Sequence, residues 1–268
     1  MLQSVVAPTS VPEVIAALLA PGARLLAGGT VVMPEVNAGT DAVTRLVSLR
    51  RTGVTGVRVA GDRVEIGAAT TLSELAEENA LAFLRPALEA IASPTIRNMA
   101  TVGGNLFAKQ PYGDLAACLI ALNAQVTLEG PDGSRTEPVG ETVSSPPAAG
   151  ELVTAVSFAL PASDGFRFAK AGRKALNAAA IVTVAAVVEA PGGTVGKVRI
   201  GLGGVAPHAV RAVSVERALV GKPFDEEHVR AAAAEALNDI DPSDDAYASA
   251  WYRARVTPVH IRRALLGA

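Results

Sequence analysis

The chain has 268 residues, half of them hydrophobic and 19% charged, with a formal net charge of -2. That balance excludes a disordered chain and leaves no basic footprint for nucleic acid. No apolar run reaches the roughly 18 residues of a membrane helix, and no charged and apolar leader of the secretory kind follows Met1, so a cytoplasmic protein without membrane insertion is expected.

In chain order, Ser10-Val11-Pro12-Glu13 predicts a helix start, with Ser10 as cap, Pro12 in the first turn and Glu13 completing a capping box. The helix should end near Pro21-Gly22. Residues 23–27 read as a short strand running straight into Gly28-Gly29-Thr30. There backbone N–H groups can point at an anion, or the chain can simply turn. Residues 44–50 read as a second short strand. Residues 57–60 and 63–68 alternate with period two around Gly61-Asp62, which predicts a hairpin. Thr71-Leu72-Ser73-Glu74 supplies another capping box. Pro86 opens a helix over 87–92 that Ser93-Pro94 should interrupt.

Beyond it lies a second glycine loop, Thr101-Val102-Gly103-Gly104-Asn105. Arg97 just before it reads either as an anion contact or as a surface arginine paired with a carboxylate. Asp114 precedes the apolar run 115–122. It reads as an N-cap, as an acceptor for sugar-type hydroxyls, or as both. Residues 125–129 meet the turn Gly130-Pro131-Asp132-Gly133 as a hairpin, and 144–150 form a proline-rich loop before a strand over 152–160. Pro161-Ala162-Ser163-Asp164-Gly165 marks a boundary. A long hairpin follows over 180–189 and 195–202, with Gly201-Leu202-Gly203-Gly204-Val205 as its strand exit. The rest reads as helical: 209–220, a helix capped by Asp225 and running through Leu237, and a last helix to Leu266 that Pro258 should kink or break.

Alternating βαβ units are too few for a doubly wound sheet, so the order predicts an α+β fold. No Gly-x-Gly-x-x-Gly follows the first strand, which counts against a Rossmann domain. Cys118 is the only cysteine, excluding an internal disulfide or a cysteine-ligated cluster. His208, His228 and His260 lack metal-ligand spacing, so no metal site is expected.

On these residues the chain resembles the FAD-binding medium subunit of the molybdenum hydroxylases, the family of carbon monoxide dehydrogenase and xanthine dehydrogenase. Leu25-Leu26-Ala27-Gly28-Gly29-Thr30 is similar to the family's first flavin loop. The stretch from Ile91 to Leu106, with Ser93-Pro94-Thr95-Ile96-Arg97-Asn98 and Thr101-Val102-Gly103-Gly104-Asn105, is similar to its second, and it is the more specific of the two. The segments Gly201 to Pro207, Asp239-Ile240-Asp241-Pro242 and Arg262-Arg263-Ala264-Leu265 resemble its C-terminal domain.

The resemblance implies a two-part FAD-binding domain of the vanillyl-alcohol-oxidase type over 1–162, split near 53, then a C-terminal domain of antiparallel sheet plus helices over 163–268. It implies noncovalent FAD, with its pyrophosphate cradled by Leu26, Ala27, Gly28, Gly29, Thr30 and Val31 from one loop and Thr101, Gly103, Gly104 and Asn105 from the other. Asp114 would bind the ribityl chain and Lys170 would lie near the ring, with Ile91 and Val153 at flavin-contacting positions. No acid–base catalyst is expected in this chain. The implied partners are a large molybdopterin-binding subunit and a small subunit with two [2Fe–2S] clusters, assembled as a dimer of heterotrimers. Electrons would pass from the clusters to FAD and on to NAD, oxygen or a quinone.

The chain departs from the family pattern at Val31, where relatives usually carry a polar residue, at the short loop before Gly150, and at Phe168, where some relatives have Tyr. It has no cysteine-rich insertion of the subtype with an extra cluster. Two other functions remain open: a self-contained flavin oxidoreductase, for which no acid–base constellation is found, and a flavin-free assembly subunit.

Overall fold

The computed structural model describes residues 2–39, 42–174 and 177–267. The N-terminal unit is a three-stranded parallel sheet in the order β1 (Ser4–Val6), β3 (Arg45–Ser48), β2 (Ala23–Leu26), with helices α1 (Val11–Leu18) and α2 (Val32–Asn37) as its crossovers. Ser10 accepts the Glu13 amide at 3.4 Å, as expected of the cap. The Glu13 carboxylate reaches back one residue further than a capping box requires, to the Thr9 amide at 2.8 Å. β1 and α2 are too short to carry a periodic signal and have no counterpart in the sequence reading.

The middle unit is an antiparallel sheet of β4 (Val57–Ala60), β5 (Arg63–Gly67), β8 (Leu152–Ala159), β6 (Gln125–Gly130) and β7 (Gly133–Pro138), in that spatial order. Helices α3 (Leu72–Glu77), α4 (Arg85–Glu89), α5 (Pro94–Arg97), α6 (Val102–Leu106), α7 (Asp114–Ala121) and α8 (Val139–Ser144) surround it. The Thr71–Glu74 capping box forms with both halves in place. The glycine stretch after Thr101, expected to be a loop, is α6: Thr101 is its N-cap, and its hydroxyl accepts the Gly104 amide.

In the C-terminal unit β9 (Phe166–Gly172), β10 (Ala180–Glu189), β11 (Lys197–Gly203) and β12 (Val210–Arg211) form an antiparallel sheet in the order β12-β11-β10-β9. Helices α9 (Val213–Leu219), α10 (Glu226–Ala234) and α11 (Ala250–Leu266) cover one face. Residues 210–211, expected to be helical, instead pair with β11. Pro258 does not break α11. A proline loses its own N–H bond and crowds the carbonyl four residues earlier, yet Arg253, Thr257, Ile261 and Leu265 keep one continuous stripe of the helix buried. The α+β class and the order of a two-part first region followed by antiparallel sheet plus helices are as the sequence reading expects.

α7 joins the two larger sheets. All eight of its residues are buried. Leu115 and Leu119 share a core with Val126 and Val156 of the middle sheet and with Ala185 and Val187 of β10. Each fully buried leucine contributes about 1.5–3 kcal/mol, enough to fix the helix and the residue that opens it, Asp114. Among the described residues no helix is long and apolar enough to cross a membrane.

Candidate functional site

β2 ends at Leu26, and the chain turns at Gly28-Gly29-Thr30 before α2 begins. Two different constraints require the two glycines. A Cβ on Gly28 would lie 1.8 Å from the Met99 carbonyl oxygen, so this loop rests directly on the backbone that precedes α6. Gly29 has φ +75°, a conformation that L side chains rarely adopt. Among the described residues, the amides of Gly28, Gly29, Thr30 and Val31 meet no acceptor of the protein. Four successive open N–H groups at a strand exit form a ready anion site.

The second loop faces the first, but most of its amides are already used. Val102 donates to Thr70 at 2.9 Å, Gly103 to Ala68 at 2.8 Å and Asn105 to the Thr101 carbonyl at 2.9 Å. The Asn105 side chain accepts the Leu115 amide at 3.1 Å, tying α6 to α7. Gly104 is exposed, and its amide makes only the long 3.2 Å bond to the Thr101 hydroxyl. The second loop therefore supplies a smooth wall rather than a set of donors. Among the described residues, the first loop is the one whose run of amides stays open.

Between them lies a cleft of about 530 Å³. It is lined by Ala27, Gly28, Gly29, Thr30, Val31, Thr101, Gly103, Gly104, Asn105 and Val153. The sequence reading did not single out Arg24, Lys109, Gln110 and His208, which also line it. Arg24 is paired with Glu35 at 3.1 Å. Lys109, which lies only four residues beyond the second loop, is the one of these that loop proximity could have flagged. His208 follows the strand exit after β11, and only the fold brings it here.

Val31 is 46% exposed, lines the cleft and has an amide that meets no acceptor among the described residues. The proline-rich loop closes the far wall with Pro146, Pro147 and Glu151. Arg135 grips the Glu151 carboxylate through two bonds of 2.9 and 3.0 Å, and the Ala148 amide adds a third. These contacts hold its pKa at about 2.

Asp114 and Lys170 lie apart from this cleft, in a second hollow with Pro111, Tyr112, Arg173 and Tyr247. Asp114 is the first residue of α7, after the cap residue Gly113, and its side chain does not cap the helix. Instead it accepts the Lys170 ammonium at 2.7 Å and the Thr183 hydroxyl. Burial pushes its carboxyl above the ordinary value, opposed by Lys170 and Thr183. Lys170 donates also to the Ala90 carbonyl at 2.8 Å, and its side chain is 9% exposed. Leu26 lines neither hollow and packs with Val32, Val43 and Leu46; Ile91 belongs to the middle core.

Among the described residues, Arg97 pairs with no carboxylate. One of its amino groups donates to the carbonyls of Glu89, Ile91 and Ala92 at 3.1, 2.9 and 2.9 Å. It thereby holds the turn in which Ala92 takes φ +47°. Removing it orphans carbonyls of a strained turn, so Arg97→Met is expected to cost about 2 kcal/mol. Urea unfolding checks this, and an unchanged midpoint would show that the turn holds itself.

Comparison with known proteins adds an independent line. Residues 2–162 match the family model described as the FAD binding domain in molybdopterin dehydrogenase, and residues 166–268 match that of the CO dehydrogenase flavoprotein C-terminal domain. The chain is 33% identical over 271 residues to the carbon monoxide dehydrogenase medium chain of Hydrogenophaga pseudoflava, covering 97% of this chain and 94% of that one. A solved carbon monoxide dehydrogenase chain from the same organism superposes with a TM-score of 0.93 at 34% identity, covering 100% of this chain and 97% of that one. A chain of quinoline 2-oxidoreductase from Pseudomonas putida 86 gives 0.90 at 26% identity, covering 100% and 96%.

Proposed function

We propose a function for this chain from the premise that it belongs to the family of FAD-binding medium subunits of the molybdenum hydroxylases. As such it is a flavoprotein subunit of an oxidoreductase, and the molybdopterin and iron–sulfur centres of such complexes belong to other subunits. The finer reading is that it takes electrons from [2Fe–2S] clusters of a small partner and passes them to NAD, oxygen or a quinone. The large molybdopterin-binding partner would carry substrate oxidation, and the assembly would be a dimer of heterotrimers in the cytoplasm. The FAD-binding region would occupy 1–162, with a division near 53, and the C-terminal domain 163–268.

The observation that carries this reading is the run of four open amides at Gly28 to Val31, set against the exposed face of Gly104 across a cleft of about 530 Å³. A diphosphate needs converging N–H donors and no side chains in the way. Gly28, Gly29, Thr30 and Val31 would hold the pyrophosphate, with Lys109 balancing its charge. Thr101, Gly103, Gly104 and Asn105 would form the facing wall, and Ala27 and Val153 would pack beside it. Asp114 and Lys170 keep the roles the resemblance implies, on the ribityl chain and near the ring, while Leu26 and Ile91 support the site from the core. When bound, FAD supplies the redox chemistry of its isoalloxazine ring, and the protein binds it, orients it and limits access. No histidine or cysteine stands in either loop, so the attachment is noncovalent.

Purified protein, produced together with its partner subunits, should show the visible absorbance of oxidised flavin and release all of it on acid denaturation. Colourless protein would overturn the cofactor reading. Flavin retained on the denatured chain would overturn the noncovalent one.

A further inference from the structure

The segment 107–113 runs from the end of α6 to the start of α7 and contributes residues to both hollows. Among the described residues, three contacts hold it from beyond its flanking helices, and all three come from the C-terminal unit. The Gln110 side-chain oxygen accepts the Gly204 amide at 2.7 Å. The Pro111 carbonyl accepts the Ala180 amide at 3.2 Å. The Tyr112 and Tyr247 hydroxyls meet at 2.8 Å, with their rings edge to face.

These three anchors lie far apart in sequence, at the start of β10, the exit of β11 and the connection before α11. One buried side chain ties them together. Arg253, on α11 and 1% exposed, donates to the carbonyls of Ala180, Ile181 and Gly204 at 3.1, 2.6 and 2.6 Å. Its other amino group donates to the Asp245 carboxylate at 2.7 Å, and Asp245 in turn accepts the amides of Tyr247 and Ala248 at 2.8 and 3.0 Å. Each C-terminal segment that touches 107–113 is thus held, directly or through Asp245, by the same guanidinium.

We propose that Arg253 is a remote positioning residue for the cofactor cleft: by fixing Ala180, Gly204 and Tyr247 together, it sets where the segment 107–113 stands. It touches no cofactor itself. The planar guanidinium is suited to this because its donors diverge in fixed directions, which a lysine ammonium on a flexible stem does not reproduce. The proposal builds on the FAD reading for one of its two readouts and is independent of it for the other.

The test uses the full chain. Arg253→Lys is expected to weaken FAD binding at least tenfold, followed by flavin fluorescence during titration of the flavin-depleted protein. Without FAD, it is expected to speed trypsin cleavage after Lys109 severalfold. Gln110→Met removes the acceptor for the buried Gly204 amide, so it should weaken FAD while lowering the melting temperature no more than the Glu216→Gln control does. Because both changes cut the path through Gly204, the double variant should bind FAD no worse than the weaker single one. Glu216→Gln is the control. That carboxylate is also buried and holds the Ile200 amide and Arg211 in the same sheet, and its loss should lower the melting temperature while leaving both readouts unmoved.

Arg253→Lys with unchanged FAD affinity and unchanged cleavage would overturn the proposal. So would additive losses in the double variant, or an equal loss of affinity in Glu216→Gln. Should Arg253→Lys fail to fold, Gln110→Met with wild-type FAD affinity and wild-type cleavage is the overturning result. A wild-type protein that takes up no FAD would instead overturn the cofactor reading, and the cleavage rates would still decide the role of Arg253.

Discussion

Gly28→Ala is expected to give a folded protein that carries no flavin. The new methyl group would have to lie 1.8 Å from the Met99 carbonyl oxygen, so the first loop must retreat by more than an ångström to reach even a 3.0 Å contact. Overpacking of this kind costs about 1–3 kcal/mol. Domains have about 5–15 kcal/mol of stability in hand, and the nearby clusters around Val14 and Val47 and around Val32 and Leu46 are untouched. Folding should therefore survive.

The site should not survive, because the shift moves the open amides of Gly28 to Val31 away from the wall formed by α6. A hydrogen bond to a charged group is worth about 1.5–3 kcal/mol, and misplacing two of the four would weaken FAD by more than about a hundredfold. Gly29→Ala is the useful contrast. It meets no backbone and only the Leu26 and Met33 side chains at 3.3 Å, so its cost is the left-handed φ and its effect should be smaller. The ratio of visible flavin absorbance to protein, measured with the melting temperature, checks both. A Gly28→Ala protein with full flavin would mean that the contact of the two loops does not build the site.

The contrast between the loops also shows where the sequence was legible. Strand, glycine turn, capping boxes and hairpins are local features, and the Thr71–Glu74 box and the hairpins around Gly61-Asp62 and Pro131-Asp132 form as read. The composition of the glycine stretches pointed to the cleft, but not to which loop keeps its amides free. That depends on partners distant in the chain: Ala68 and Thr70 take the amides of Gly103 and Val102, while among the described residues nothing takes those of Gly28 to Val31.

The partners of Asp114 and Arg97 were not legible for the same reason. These partners, Lys170 and Thr183 for one and three carbonyls of a preceding turn for the other, are set by how α7 and α5 pack. Spacing around the residue itself does not reveal them. Gln110 and His208 carry no local mark of a cleft residue, and contacts with the C-terminal unit place them there.

Lys170→Met is expected to lower stability by about 3–5 kcal/mol, because it leaves the Asp114 carboxylate buried without its cation. For a chain of this size that is a drop on the order of 10 °C in melting temperature. The loss should depend on pH in a definite direction. Burial already raises the Asp114 carboxyl above its ordinary value, and Lys170 opposes that rise. Without the ammonium, the folded-state pKa climbs further above the unfolded one. A carboxyl raised in this way contributes its stability below the unfolded pKa and loses it as pH rises through the folded pKa. The gap between wild type and Lys170→Met should therefore be widest in mildly alkaline buffer and shrink on acidification toward about pH 5.

Replacing both partners in Asp114→Leu/Lys170→Met should recover much of the loss, since a well-packed apolar pair often matches a buried ion pair. Flavin content then separates two roles that stability alone cannot. If the pair only latches the C-terminal sheet onto α7, the double variant regains FAD along with its melting temperature. If Asp114 and Lys170 also contact the cofactor, it regains the melting temperature and stays depleted of FAD. A gap between wild type and Lys170→Met that widens on acidification would sink the account of a buried carboxylate stripped of its partner.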